Sequence, residues 1–273
     1  MSLSLNMPLV RKSLASLILA GGLLAAVSAH AHTSETVDMV CPYDGVKFKF
    51  EAQTSGTAFF QMLDGMLVGP IESPSPLAVC PTNGFVFFKE EYSTDELERL
   101  RPLIMSAEYQ ALKGETPYYR AAWIMQRTGS PHPQVSLALL QATWEAGWAE
   151  VLERAAKAEQ EDQKDAQLGE RLVAQGTTSE RYRRYATELL ARLSVDVADK
   201  TRSAEEHIAD RMLTGEILRR LGRFEEADGQ FVALAGDLTP AGNEAKIVAL
   251  QRRLIAAKDL GLHDVSEALG KEH

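Results

Sequence analysis

Residues 208–241 read IADRMLTGEILRRLGRFEEADGQFVALAGDLTPA, two helix-forming stretches on either side of the turn Leu221-Gly222-Arg223-Phe224. Gly215 supplies a small side chain where the two stretches would cross, and Leu218 a large one for the layer behind it. Ala227 and Phe231 take the small and aromatic positions of the second stretch. Antiparallel helices packed this closely need a small residue facing a large one in each layer.

In that layout the segment resembles a tetratricopeptide repeat, with Gly215, Leu218, Gly222, Phe224, Ala227 and Phe231 as its signature. A single unit cannot bury its own apolar face, so neighbours must stack on it. Ala121-Ala122-Trp123 to Gly129 is the candidate for the first helix of another repeat. Leu250 to Leu269, turning at Gly261, is the candidate for a third. About three helical pairs of irregular length are expected, the alternative being a plain helical bundle with one chance match.

Working outward, helical grammar holds from Thr94 to the end of the chain. Ser93-Thr94-Asp95-Glu96 offers a capped, acidic helix start, followed by Leu97, Leu100, Leu103 and Ile104 at helical spacing. Thr116-Pro117 opens a second helix that ends near Gly129. A third runs from about Pro133, with Leu137, Leu140, Trp144, Trp148, Val151 and Leu152 on one stripe and a polar continuation through residues 159–165. Tyr182, Tyr185, Ala186, Leu189 and Leu193 stripe another, and later helices fall near 203–221, 224–236, 241–260 and 264–269.

Residues 37–93 obey a different grammar, poor in helix formers and rich in Phe, Val, Gly and Pro. Val46, Phe48 and Phe50 alternate with Lys47 and Lys49, the period of a half-buried strand. Phe85–Phe88 is a second strand candidate after the turn Thr82-Asn83-Gly84, and Pro70, Pro74 and Pro76 mark an extended or looped stretch. The fold class expected is therefore mainly α: a small N-terminal β module over residues 37–93, then a tetratricopeptide-like helical domain over 94–273.

The β module contains an internal echo. Cys41-Pro42-Tyr43-Asp44-Gly45-Val46-Lys47-Phe48 aligns without gaps to Cys80-Pro81-Thr82-Asn83-Gly84-Phe85-Val86-Phe87, both C-P-x-[DN]-G-x-x-F. A zinc ribbon carries C-P-x-C-G at both places, because two thiolates flanking a tight turn chelate one metal. Asp44 and Asn83 stand where the second cysteine of each knuckle would be, so the module reads as a degenerate zinc ribbon.

With knuckles placed ahead of helices, the chain resembles a bacterial family, the domain of unknown function 2225. The resemblance rests on CPTNGFVFFKEEY at Cys80–Tyr92 and on the helical stretch Ala121–Arg127. It implies paired knuckles, a metal-bound module and a tetratricopeptide-like part. Two of the four ligand positions are missing, and the chemistry points to a replacement. Thiolates sharing a zinc ion, with Zn–S of about 2.3 Å, lie less than about 4 Å apart, close to disulfide range once the metal is gone. An oxidising compartment favours that bond. A Cys41–Cys80 disulfide is the expectation, and no cofactor is assigned. Residual metal held by Cys41, Cys80 and Asp44 with a fourth donor from elsewhere, or two free thiols, are the alternatives.

Residues 1–31 read as a cleavable secretory signal. Arg11 and Lys12 precede an apolar run from Ser13 to Val27, and Ala29 and Ala31 offer an A-x-A cleavage site. At about 15 residues the run is shorter than the roughly 20 that span a bilayer. Removing residues 1–31 takes away two cations and no acid, so the net −9 of the whole chain becomes −11. That charge argues against a nucleic-acid surface or attraction to anionic lipid. The leader implies export across the inner membrane to the periplasm, with no membrane span in the mature chain.

Catalytic signals are weak. G-x-S-x-G, H-E-x-x-H, a Gly-rich phosphate loop and a dinucleotide fingerprint are all missing. Glu90-Glu91 and Glu225-Glu226 read as helix-flanking, solvated charges. His132, between two prolines, reads as a loop residue with no evident partner. Trp123, Trp144 and Trp148 read as core, and His30-Ala31-His32 as a tail rather than a copper or nickel chelate. No catalytic residue is assigned, and the chain is read as a non-enzyme. The expected function is an exported protein-interaction or scaffold role, with a protein or peptide partner in the cell envelope. The alternative is a metal protein or enzyme whose site lies at the β module or between the two halves.

Overall fold

The structure, a computed structural model, describes residues 33–160 and 179–270. The stretch expected to be a secretory leader and the residues after Gln160 in the expected polar continuation of the third helix lie outside the described residues. The described chain is mainly helical, with a small N-terminal β region of two strand pairs.

Strand β1 (Thr33–Val40) pairs antiparallel with β2 (Lys47–Ser55), Val40 opposite Lys47 and Val37 opposite Phe50. The alternation in β2 has its expected consequence: Phe48 and Phe50 are partly buried while Lys47 and Lys49 face solvent. A second pair, β3 (Phe60–Gln61) with β4 (Leu67–Val68), was not foreseen, because two-residue strands carry no periodicity. Phe85–Phe88 does not form a strand. Only Val86 makes a bridge, to Val79, because the chain leaves the Cys80 turn for a tight aromatic cluster instead of a ladder.

Helix α1 (Thr94–Ile104) starts on a reciprocal capping box: the Glu96 N–H donates to Ser93 Oγ at 3.3 Å, and the Ser93 N–H donates to Glu96 Oε2 at 2.9 Å. A single turn, α2 (Ala107–Gln110), and a 3₁₀ turn at Ala111–Gly114 lead to α3 (Pro117–Arg127), with proline at its first position. The long α4 (His132–Gln160) follows, then α5 (Glu180–Ala198), α6 (Ala204–Arg220), α7 (Phe224–Ala235), α8 (Asn243–Ala256) and the short α9 (Ser266–Leu269). From α3 to α8, each described helix packs on the next in chain order.

Three apolar clusters fill the interior. The first joins α3, α4, α5 and α6 through Tyr118, Leu139, Tyr182, Leu189 and Ile217, with Tyr119 and Tyr185 stacked at 4.2 Å between ring centres. All five residues of the α5 stripe foreseen from spacing are buried in it. In α4 the foreseen stripe holds except at its first position: Leu140 and Val151 are buried and Trp144 packs on the first cluster, but Leu137 is 53 % exposed. Val135, Leu139, Ala142 and Ala146, not foreseen, join Leu140 in the face that meets α3 and α5. The second cluster binds Cys41, Cys80 and Phe85 to Leu100, Ile104, Tyr109 and Ile124 of the first helices. The third holds α6, α7 and α8 together.

Buried charge ties remote parts of this interior. Met62 bridges to Asp264, and the Leu63 N–H donates to the His263 carbonyl at 2.9 Å, docking the β3–β4 turn on the C-terminal segment. Asp64 in that turn meets Arg220 of α6 at 2.7 Å. Beside it, Arg219 is clamped by Glu216, Gln251 and the carbonyls of Asp259 and Gly261.

Candidate functional site

The signature residues of 208–241 come together at the α6–α7 turn. Leu218, Ala227 and Phe231 are buried in the third cluster, with Phe224 packed against it. Gly215 lies under the Phe231 ring so closely that a Cβ there would run into it. Gly222 ends α6 at φ +76°, with its N–H on the Arg219 carbonyl at 2.9 Å and the Arg223 N–H on the Leu218 carbonyl at 2.9 Å. This double bond pattern satisfies the last carbonyls of the helix and needs the left-handed backbone that glycine supplies.

Helices α6 and α8, with the α7–α8 connection, enclose a surface groove of about 480 Å³. Glu205, Ile208, Ala209 and Met212 of α6 line one wall, at i, i+3, i+4 and i+7. Ile247 of α8 and Leu238 of the connection complete the apolar floor; all four larger apolar side chains are partly solvent-exposed, and Ile208, Met212 and Leu238 rest their inner sides on the third cluster. The rim is acidic. Asp237 is neutralised by Arg211 at 2.5 Å, whereas Glu205 and Glu244 face solvent with no ion-pair partner among the described residues. Among the described residues no Lys or Arg lines the groove. The sequence reading missed these positions, although a helix stripe with nothing assigned to face it is a signal that spacing alone contains.

The two cysteine knuckles are geometric copies. In the first, the Cys41 N–H donates to the Val46 carbonyl at 2.9 Å and the Gly45 N–H to the Cys41 carbonyl at 3.0 Å. In the second, Cys80 and Phe85 pair at 2.8 Å, and Gly84 and Cys80 at 3.0 Å. Asp44 Oδ1 accepts from the Val46 N–H, and Asn83 Oδ1 from the Phe85 N–H, at matching positions. Cys41 and Cys80 stand at disulfide distance, their Cα atoms 5.5 Å apart. Across the pair, Asp44 Oδ2 accepts from the Thr82 hydroxyl and from Asn83 Nδ2 at 3.3 Å. The Thr82 hydrogen bond is the main reason the Asp44 carboxyl is held below its ordinary value. Among the described residues no three His, Cys, Asp or Glu side chains are grouped to hold a metal ion.

His132 differs from its expected place. It opens α4, and its Nδ1 lies 2.8 Å from Asp196 Oδ1 at the end of α5, while the Ser136 hydroxyl donates to Asp196 Oδ2 at 2.5 Å. The partner lies 64 positions away, beyond the reach of a local reading. Both neighbours end on the carboxylate, and the serine does not touch the imidazole. A nucleophile–base pair needs that contact, so the set orients Asp196 and joins two helices. Burial pushes the Glu145 carboxyl toward neutrality, up to about 7. It accepts from the Tyr118 N–H at 3.0 Å and so caps α3.

A second cleft of about 300 Å³ lies beside Phe88, Tyr92, Arg99 and Gln134. Its lysine, Lys89, is paired with Glu96. The tryptophans are packed: Trp144 against the first cluster, Trp123 against the second under Arg127 at 3.6 Å, and Trp148 on Met66. Glu225 and Glu226 occupy the first turn of α7, Glu226 pairing with Arg223 at 2.6 Å. Among the described residues no helix is long and apolar enough to cross a membrane. No family model matches the chain, and no curated protein and no solved structure matches it either.

Proposed function

We propose that this chain is an exported protein-interaction module of the cell envelope, working in the periplasm by binding rather than catalysis. The observation that carries this reading is the open groove between α6 and α8, where Ile208, Met212, Leu238 and Ile247 stay partly solvent-exposed even though the first three also pack on the third cluster. Apolar side chains left partly exposed at helical spacing in a groove are the kind of surface a partner helix uses.

Within this reading α3 onward is a tetratricopeptide-like array, in which α6 and α7 form one unit and α8 the first helix of the next. The close seating of Phe231 on Gly215 and the chain-order packing of the helices support it. The paired knuckles are then a degenerate zinc ribbon closed by sulfur instead of metal, a relative of the family of domain of unknown function 2225. The identical turn geometry of the two knuckles and the meeting of Cys41 with Cys80 support that assignment.

The test is affinity capture from an envelope extract of the source cells, run in parallel with the native chain and an Ile208→Glu variant. A stoichiometric partner recovered by the native chain and lost by the variant is the expected result. Recovery by both alike, or by neither, refutes an interaction role for this groove.

A further inference from the structure

We propose that the groove between α6 and α8 receives an amphipathic helix of a partner protein whose apolar stripe is bordered by Lys or Arg. This rests on the interaction reading and names the chemistry of the partner.

Two features set that chemistry. The first is periodicity. From Glu205 to Met212 the wall of α6 offers about two turns of helix, some 10 Å in length, with its apolar residues at i+3, i+4 and i+7. A partner helix laid in a groove docks through anchors at the same spacing, each filling space between its neighbours. A volume of about 480 Å³ is enough to bury a few side chains.

The second is charge. Glu205 rises from the α6 wall and Glu244 from the α8 wall, so the apolar floor lies between two carboxylates without cationic partners among the described residues. A helix with Lys or Arg on the borders of its stripe places a cation near each. The same carboxylates repel an anionic lipid surface. A second copy of this chain, seated groove against groove, would set acid against acid.

The experiment uses the full chain and three fluorescent 15-residue helical peptides. One carries a leucine stripe bordered by lysine, one the same stripe bordered by glutamate, and one the same lysines with serine in place of leucine. The lysine-bordered peptide is expected to bind saturably, one per chain, and about tenfold more tightly than either control.

Ile208→Glu is the decisive variant. It adds an acid, so diffuse attraction of a cationic peptide would strengthen, whereas seating in the groove weakens about tenfold. Glu205→Gln combined with Glu244→Gln is expected to weaken binding about 2–5-fold and to flatten its salt dependence. Glu205 and Glu244 face solvent, so the double Gln variant folds, whereas Ile208 also packs on the third cluster. Ile208→Glu is read only with a native circular dichroism spectrum, and the double Gln variant tests the same groove without touching the core.

Equal binding of the glutamate-bordered peptide overturns the partner chemistry while the interaction reading stands. Binding undiminished by Ile208→Glu, or absent for all three peptides, overturns the inference. The interaction reading is then judged by the capture experiment alone.

Discussion

Asp64 and Arg220, 156 positions apart in the chain, meet at 2.7 Å with side chains 0 % and 3 % exposed. The Met66 N–H also donates to Asp64, at 3.1 Å, and Arg220 lies over the Tyr182 ring at 4.8 Å. Burial raises the Asp64 carboxyl above its ordinary value, and the Arg220 guanidinium opposes that shift. The pair fastens the β3–β4 turn to the helices.

Removing one member of a buried pair leaves the other uncompensated. Asp64→Ala is therefore expected to cost about 3–5 kcal/mol, and Asp64→Leu with Arg220→Met much less than either single change. Urea unfolding of the native chain, the single variants and the double variant measures this. A loss below about 1 kcal/mol for Asp64→Ala would show that water reaches the pair.

The contact of Cys41 with Cys80 closes a separation of 39 residues. If oxidised, the link constrains the unfolded chain, and Cys41→Ser with Cys80→Ser should lose about 3–4 kcal/mol on the chain-entropy account. Thiol titration of unreduced, denatured protein should find no free thiol. Two titratable thiols would remove the sulfur–sulfur link from the picture.

At an open site in a helix, Gly→Ala gains up to about 1 kcal/mol. Gly215→Ala should do the reverse, losing about 1–3 kcal/mol, because the new Cβ meets the Phe231 ring. Phe231→Leu, costly alone, should recover part of that loss in the double variant. Additive effects in thermal melts would mean that the two positions do not touch.

Glu145 supplies a pH dependence whose sign is fixed. Burial raises its carboxyl to about 7 in the folded chain, against about 4.3 for an unperturbed glutamate. The folded state then holds the proton more tightly than the unfolded state. This contribution to stability is complete below about pH 4 and is lost as pH rises through 7. Allowing for partial solvent contact, its size is on the order of 2 kcal/mol. Glu145→Gln should abolish that segment of the stability profile between pH 4 and 8. An unchanged profile would place the titration elsewhere.

Much of the helical part was legible because its causes are local. Ser93 and Glu96 cap α1 from three residues apart, Pro117 opens α3, and the Tyr182–Leu193 stripe repeats within one helix. The knuckle echo was legible for the same reason, since each turn is closed by bonds within six consecutive residues. The start of the buried face of α4 was not: Leu137 and Leu139 are equally apolar, and only the position of α3 and α5 chooses between them.

The sequence by itself determined where the capped helices α1 and α3 start, which half carries strands, and the hydrogen-bonded form of the two cysteine turns, because short-range hydrogen bonds and apolar periodicity decide these. Tertiary structure alone decided which charges are buried, that His132 finds Asp196, and that Ile208 and Met212 face an acidic groove. In a linear chain, Glu216, Arg219 and Arg220 look the same as solvated charges. Their environment is set by partners dozens of residues away, and a local pattern contains no record of that distance.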